Sequence, residues 1–579
     1  MKFSDFCKYL EKIEATASRL EMTSILADLF KQLSADDIKP GVYLLLGRIG
    51  PLYEGKEFGL AEKTVVSAAV AGLGVEKKVF DKVYQQLGDV GEVVYKLKQQ
   101  SNSLFKTDPD LSFVYQRLRK IADLSGKGSL TAKKEIVADM IREYPALTAK
   151  YLARLISGKL RLGFSDMTVL DGLSWFLKGD KSLRPLLEHA YHVRPDLGLI
   201  AYLVKTKNLN GIETIEPEVF VPIIMMRAER VKQIPDIIEK LGQCLVEPKY
   251  DGFRLQVHKK GNEVKMFSRN LEQVAYMYPD LKQAVLEQIS AESIIFEGEA
   301  IGFDPQTDEF LPFQETSQRR RKYDIEELSQ KIPLKLFVFE LLYLNGQSFI
   351  NKKLMERKAK IRSILKSEPE ANLVIAEDHL VSKTEEIEVL FDQYVSEGLE
   401  GIMAKKIDGV YKPGAREFNW IKFKASYSQK INDTIDTVVL GYYYGKGKRS
   451  EFGIGAFLVG VYDKNLDKFC SIAKIGTGVS DQQWRELKHL FDKNRSSNKP
   501  KEYFVDSQIV PDVWVAPKFV VEVSADEITY SPVHTAGKSA GYHKNSGFAL
   551  RFPRMVRLRS DKDVYDITTV QEIGRLVKI

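Results

Sequence analysis

The sequence predicts a multidomain α+β protein: an all-α domain over residues 1–215, a mixed α/β domain over 216–428 and a small β-barrel over 429–579. Three observations predict it. Apolar residues of the first two hundred positions recur at helical spacing, with few alternating β-branched runs. From about residue 216 short β-rich segments alternate with helical ones, and past 428 short strands with Gly-rich turns surround one helical stretch.

Phe3, Phe6, Leu10 and Ile13 share one helical face, and KKEIVADMIREYPAL and MTVLDGLSWFL repeat the spacing. Strand character starts with EPEVFVPIIMM and continues in RLQVHKKG, EVKMFSRN, SIIFEGEAIGF and KLFVFELLYLNG. Asn345-Gly346 ends the last with a hairpin dipeptide. After KASYSQKIND come TVVLGYYYGKG, GAFLVGVYD, KFCSIAKIGTG and KFVVEVSADEI, with DQQWRELKHLFDKN as the helical insert. Strands and turns of this size match an oligonucleotide-binding barrel, the OB-fold.

Composition excludes several classes. Hydrophobic residues at 44% and charged residues at 28% describe a soluble globular chain. No apolar run approaches the roughly 18 residues of a membrane span, and MKFSDFCKYLEKIEAT meets charge too early for a secretory signal, so an intracellular protein is expected. Cys7, Cys244 and Cys470 are the only cysteines. They build neither a disulfide framework nor a four-cysteine zinc site, which leaves oxygen ligands for any metal. The excess of lysine and arginine over acids, 86 − 79 = 7, is too mild to identify a nucleic-acid partner by itself.

The stretch LVEPKYDGFR, residues 245–254, crowds Glu247, Lys249, Asp251 and Arg254 after an apolar strand end. Lys-x-Asp-Gly alone is weak, since chance supplies it on the order of 0.1 to 0.3 times in such a chain. Its bland reading is an Asp-Gly turn with a solvated lysine. Further segments follow in order: SRN at 268–270, FEGEA around 297–299, FVFELLYLNG around 338–340, EGIMAKK from 400, FNWIKFK ending at 424 and RFPRMVRLRSDK at 551–562.

With these seven motifs in order, the chain resembles the ATP-dependent DNA ligases within the covalent nucleotidyltransferases, nearest to compact archaeal enzymes and the core of eukaryotic replicative ones. The resemblance implies a lysine that attacks the α-phosphorus of ATP and stores AMP as a phosphoramidate. Lys249 is that lysine. With an ordinary pKa near 10.4, only roughly one lysine in a few thousand is a free amine at neutral pH. Its activation is expected from magnesium together with Lys422 and Lys424.

Carried over position by position, the resemblance assigns Glu247 to the adenine amino group, directly or through the backbone. Arg254 and Arg269 go to the ribose and phosphate side, Glu299 to ribose or metal, and Phe339 to stacking on adenine. Glu299 and Glu400 would ligate Mg2+, a hard cation suited to oxygen. Arg416, Lys422 and Lys424 would grip phosphates. Each residue has a plainer reading: Phe339 as core, Glu400 as a solvated face, and Lys422 and Lys424 as alternate positions of a half-exposed strand. Lys406 and the run Arg319, Arg320, Arg321 and Lys322 stay open between contact and solvated charge. Pro248 and Glu340 depart from common family residues, and Pro248 removes a ladder donor.

In the family the barrel closes over ATP and then swings away to grip DNA, which places Arg551, Arg554 and Lys562 near the pyrophosphate. Nicked duplex DNA is the implied partner, with salt-sensitive contacts expected from Arg154, Lys159, Arg161 and the loop SGKGSLTAKK. Analogy adds a sliding clamp, although no clamp-binding peptide is evident. A monomer, cytoplasmic and nucleoid-associated, is expected. An RNA ligase or capping guanylyltransferase shares the nucleophile motif, and the long helical region and RFPR ending favour DNA ligase over them. An NAD-dependent ligase is disfavoured by the missing zinc cysteines, and a non-catalytic DNA clamp by intact Lys249, Glu299, Glu400 and Lys422.

Overall fold

Helical spacing acts as predicted at the N-terminus, where Phe3, Phe6, Cys7, Leu10 and Ile13 form the buried face of the helix Phe3–Glu14. The next helix, Arg19–Gln32, starts where the Ser18 hydroxyl accepts the Glu21 amide. Helices follow one another to Asn210–Glu213 around one apolar core. The computed structural model describes residues 1–100, 107–160, 162–304, 310–311, 313–321, 323–366, 371–397, 399–424, 434–445, 451–476, 478–525, 527–541, 545–551 and 553–577. They fold as two units, Met1–Lys422 and Phe423–Ile579. No described helix is long and apolar enough to cross a membrane.

Two sheets follow the helices in the first unit. Their strands are β1 (Arg227–Arg230), β2 (Cys244–Lys249), β3 (Phe253–Lys260), β4 (Glu263–Phe267), β5 (Ser293–Gly302), β6 (Leu334–Leu344), β7 (Gln347–Ser348), β8 (Leu373–Ile375), β9 (His379–Val381), β10 (Gly401–Lys406) and β11 (Arg416–Lys424). One sheet runs β1-β11-β10-β2-β9, the other β4-β3-β5-β6-β7 with β8 on β6. The chain passes from the first sheet to the second through Lys249–Phe253, so the predicted nucleophile stands at their junction. Asn345 and Gly346 take φ of 44° and 90° and close the β6–β7 hairpin, as their chemistry predicts. β9 pairs β2 only over Cys244–Val246, so Pro248 falls where that side of the strand is open.

In the second unit the strand Ile435–Tyr443 pairs with Ala456–Asp463, Val513–Val515 and Val520–Ser524 in an eight-stranded sheet. Glu527–Ser531 and Gly547–Arg551 form a separate ribbon. The predicted helical insert is Asp481–Asp492, capped reciprocally by Ser480 and Gln483, and buries Trp484, Leu487 and Phe491. The unit is β-rich as expected, but among the described residues no ladder closes the sheet into a barrel.

The expected DNA contacts of the helical region need correction. Arg154 is buried and reaches Glu14 at 2.8 Å, Asp89 at 3.0 Å and Glu92 at 3.1 Å, so its charge is spent inside the fold. Lys133 is likewise buried and donates to the Phe58 carbonyl at 2.8 Å. Lys159 pairs with Glu62 at 2.7 Å on the surface. Gly126 and Gly128, at φ of 84° and 83°, do shape a loop ahead of the helix Ser129–Glu143. Arg161, Lys322 and most of KASYSQKIND lie outside the described residues.

Candidate active site

Lys249 ends β2, opposite Gly401 of β10. The Glu400 amide donates to the Lys249 carbonyl at 3.0 Å, and the Glu400 carboxylate meets the Lys249 ammonium at 2.6 Å. Glu299 of β5 supplies a second carboxylate that acts on the same ammonium. Burial alone would depress the lysine, but Glu400 and Glu299 outweigh it and hold its pKa above the ordinary value. The nearest charged partner of Lys249 is thus an acid, while Lys422, expected to activate it, lines the same cavity. Burial pushes Glu299 up to about 7 against the pull of Lys249 and Arg254.

A cavity of about 440 Å³ opens over Lys249. Its wall includes Glu247, Lys249, Arg254, Arg269, Glu299, Phe339, Arg416 and Lys422, so the fold gathers eight predicted residues from separate strands and loops. Two predicted residues are not part of that wall: Glu400, which pairs with Lys249, and Lys424, two residues later on β11 than Lys422. Gly252 permits the assembly, because a Cβ there would stand 2.2 Å from the Ala300 carbonyl oxygen.

Several predicted residues are engaged by the protein itself. Glu247 is buried, with Lys358 at 2.5 Å on one carboxylate oxygen and Lys405 at 2.6 Å on the other. Arg254 donates to Glu297 at 2.6 Å and to the Met226 carbonyl at 2.7 Å, while its Nε is buried with no hydrogen-bond partner among the described residues. Phe339 is half-buried and meets Trp420 edge-on, with ring centres 6.1 Å apart at 81°. Lys405 sits 4.7 Å from the Phe339 ring and 4.6 Å from Trp420. Burial lowers Lys405 to about 8 despite Glu247. Glu340 accepts two bonds from Arg357, at 2.7 and 2.8 Å, which hold its carboxyl below the ordinary range against burial.

The ambiguous basic residues divide. Arg319 is buried between Asp280, at 2.7 Å, and the Ile332 carbonyl, also at 2.7 Å. Arg320 is exposed and lines the cavity. Lys406 faces Asp408 at 3.6 Å on the surface. In the second unit Lys562 reaches Asp436 at 2.6 Å, Arg554 opens the strand Arg554–Arg559, and Arg551 ends Gly547–Arg551.

Sequence reasoning missed Lys358, Lys405, Glu297, Tyr411 and Trp420. Tyr411 bonds both Glu297 oxygens at 3.1 Å and joins that carboxylate to the Arg254 wall. Lys405 stood inside EGIMAKK, where an apolar run on β10 passes into two lysines, the first of them on a strand otherwise mostly buried. Lys358 carries none, because nothing in its local sequence separates a buried lysine from the exposed ones beside it.

A lysine with paired carboxylates below a cavity walled by aromatics and basic residues suits attack on a nucleoside triphosphate. Comparisons with known proteins agree. Residues 225–424 match the family model described as ATP dependent DNA ligase domain, residues 2–174 that of DNA ligase N terminus, and residues 450–562 that of ATP dependent DNA ligase C terminal region. A probable DNA ligase of Dictyoglomus turgidum is 45% identical over 576 residues, covering 99% of this chain and 97% of that one. The DNA ligase of Sulfurisphaera tokodaii is 38% identical over 593 aligned positions, covering 100% and 98%. A solved structure titled Pmar-Lig_PreS3 covers 96% of this chain and 99% of its own, with a TM-score of 0.55 at 17% identity, a likeness of fold alone.

Proposed function

This chain belongs to the ATP-dependent DNA ligases and seals nicks in duplex DNA, and from that premise we propose that Lys249 is its nucleophile. The observation that carries the assignment is the Lys249 ammonium at 2.6 Å from Glu400, on the floor of the cavity. The Lys249 ammonium loses one proton to solvent, its Nζ bonds to the α-phosphorus of ATP as the bond from that phosphorus to pyrophosphate breaks, and a second proton leaves the nitrogen to solvent to give the phosphoramidate. The AMP then passes to the 5′-phosphate of the nick, and the neighbouring 3′-hydroxyl displaces it as the backbone closes. The in-line demand of the first step makes the placement of Lys249 as important as its protonation.

Arg254, Arg269, Arg416, Lys422 and Lys424 hold ribose and phosphates in this reading. Phe339 and Trp420 flank the base and Glu247 orders its edge. With Glu247 gripped by two lysines, the backbone of β2 is the better-supported route to the adenine. Glu299 and Glu400 fit a magnesium ion, since two carboxylates crowd one ammonium and burial already strains Glu299. Among the described residues no group of three or more acidic, histidine or cysteine side chains is placed to hold a metal ion. Glu299 and Glu400 would hold magnesium, which when bound would supply positive charge against the triphosphate.

Three domains, 1–215, 216–428 and 429–579, are proposed, the last as an OB-fold. The strands of the second unit and its inserted helix Asp481–Asp492 support that assignment, and a second helix, Val570–Leu576, follows them. Replication, repair and recombination are the roles typical of the family. A monomer acting in the cytoplasm on nucleoid DNA, with a sliding clamp as an added partner, completes the proposal.

The test is covalent labelling. Purified protein with magnesium and α-labelled ATP is expected to gain an acid-labile label that GTP and NAD do not supply, and to lose it on nicked duplex. Undiminished labelling of Lys249→Ala would falsify the nucleophile assignment.

A further inference from the structure

Behind the cavity runs the helix Leu354–Ile364, which none of the seven motifs contains. Its neighbours Arg357 and Lys358 are each 1% exposed, an uncommon burial for consecutive cations. Adjacent helical residues point about 100° apart, so the two side chains leave the helix toward different elements. Arg357 grips Glu340 on β6, next to Phe339. Lys358 grips Glu247 on β2, two residues before Lys249, and also faces Asp378 at 3.2 Å. One helix thus fastens a strand from each sheet at the place where the sheets form the cavity wall.

The grip on Glu247 is two-sided. Lys358 takes one carboxylate oxygen and Lys405, from β10, takes the other. Two ammonium groups from separate elements, one at each oxygen, resist turning of the carboxylate and brace the β2 strand that carries it; the Lys358 contact does this as a buried charge pair, since neither its Nζ nor that oxygen meets hydrogen-bond geometry. We propose that Lys358 is a positioning residue for nucleotide recognition, holding Glu247 and the β2 backbone in the orientation that reads the adenine edge. The inference rests on the reading that Glu247 orders the adenine edge through the β2 backbone it anchors.

Removing Lys358 does not orphan a charge. Glu247 keeps Lys405, and Asp378 keeps Arg362, which it contacts directly. The loss therefore falls on orientation, whereas a lysine that only filled space would affect stability alone.

The experiment measures single-turnover self-adenylylation with ATP and GTP for the wild type, Lys358→Met, Lys358→Arg, Glu247→Gln and the double variant Glu247→Gln/Lys358→Met. Lys358→Met is expected to raise the KM for ATP on the order of tenfold and erode the preference for ATP over GTP, with the rate at saturation within about threefold of wild type. Lys358→Arg restores both. The double variant matches Glu247→Gln, because Lys358 acts through that carboxylate. If Glu247→Gln shifts KM and preference while folded Lys358→Met shifts neither, this inference falls and the reading of Glu247 stands. If Glu247→Gln shifts neither, the reading of Glu247 fails and takes this inference with it. Should Lys358→Met not fold, the double variant, which removes both members of the pair, decides: losses beyond those of Glu247→Gln overturn the proposal.

Discussion

Replacing Gly252 with alanine tests whether the junction between the two sheets sets the reactivity of Lys249. Gly252 does not have positive φ, so alanine meets no backbone penalty and the whole effect comes from space. The new Cβ would stand 2.2 Å from the Ala300 carbonyl oxygen and 2.9 Å from Ile301 Cγ1, against 3.4 Å for ordinary contact. The difference, 3.4 − 2.2 = 1.2 Å, falls on backbone rather than on the end of a flexible side chain. The turn must lift from β5, while β3 stays registered to it through Phe253 with Ala300 and Arg254 with Glu299. Lys249 lies three residues away and moves with the turn. Displacing a reacting atom by about 1 Å costs on the order of a hundredfold in rate, or about 2.7 kcal/mol of barrier. Overpacking itself should cost about 1–3 kcal/mol of stability. Rapid-quench transfer of label from α-labelled ATP reads the first step, and closure of a nick that already carries AMP serves as the control, since it bypasses attack by Lys249. Gly252→Ala is expected to slow labelling about a hundredfold and spare the control within a few-fold. Labelling at near the wild-type rate would refute the geometric argument.

Two further outcomes are expected. Lys405 faces Glu247, with Lys358 and Glu340 also close, and its pKa stands at about 8 rather than 10.5 because of burial. The unfolded chain therefore binds more protons between those values: the cost of burying the ammonium is present below pH 8 and is relieved as pH rises toward 10.5. The same deprotonation breaks the pair with Glu247, so the KM for ATP should rise above pH 8 in titrated adenylylation assays, and Lys405→Arg should remove that rise; a flat profile in the wild type counts against the pairing. Arg154→Ala should lower thermal stability by about 3–5 kcal/mol, because Asp89 and its neighbours lose a buried partner. Its affinity for nicked DNA should keep the wild-type salt dependence across a salt series, whereas a lost phosphate contact would flatten the slope by about 1.

Some of the fold and the site could be read along the chain. Lys249, Glu299, Phe339 and Lys422 lie in segments whose order carries the family pattern, and hydrophobic period separated helices from strands because it depends on neighbours within one turn or one pleat. Asn345-Gly346 announced its hairpin for the same local reason. Charge placement was less legible. Arg154 and Lys133 resembled DNA contacts yet are spent inside the helical core, whereas Lys358 and Lys405 gave little warning that they would grip one carboxylate from two sides.

The sequence by itself determined the family and with it the covalent chemistry proposed for the chain: an amine nucleophile, with oxygen ligands for a hard cation and basic residues for phosphate as the expected site. Only the tertiary structure decided which charges face the cavity and which are neutralised. The physical reason is that an ion's role depends on its partners and its burial, and those partners come from elements far apart in the chain. Glu247 meets Lys358 and Lys405, more than a hundred residues later, only because one helix and two sheets pack at the junction where Lys249 stands.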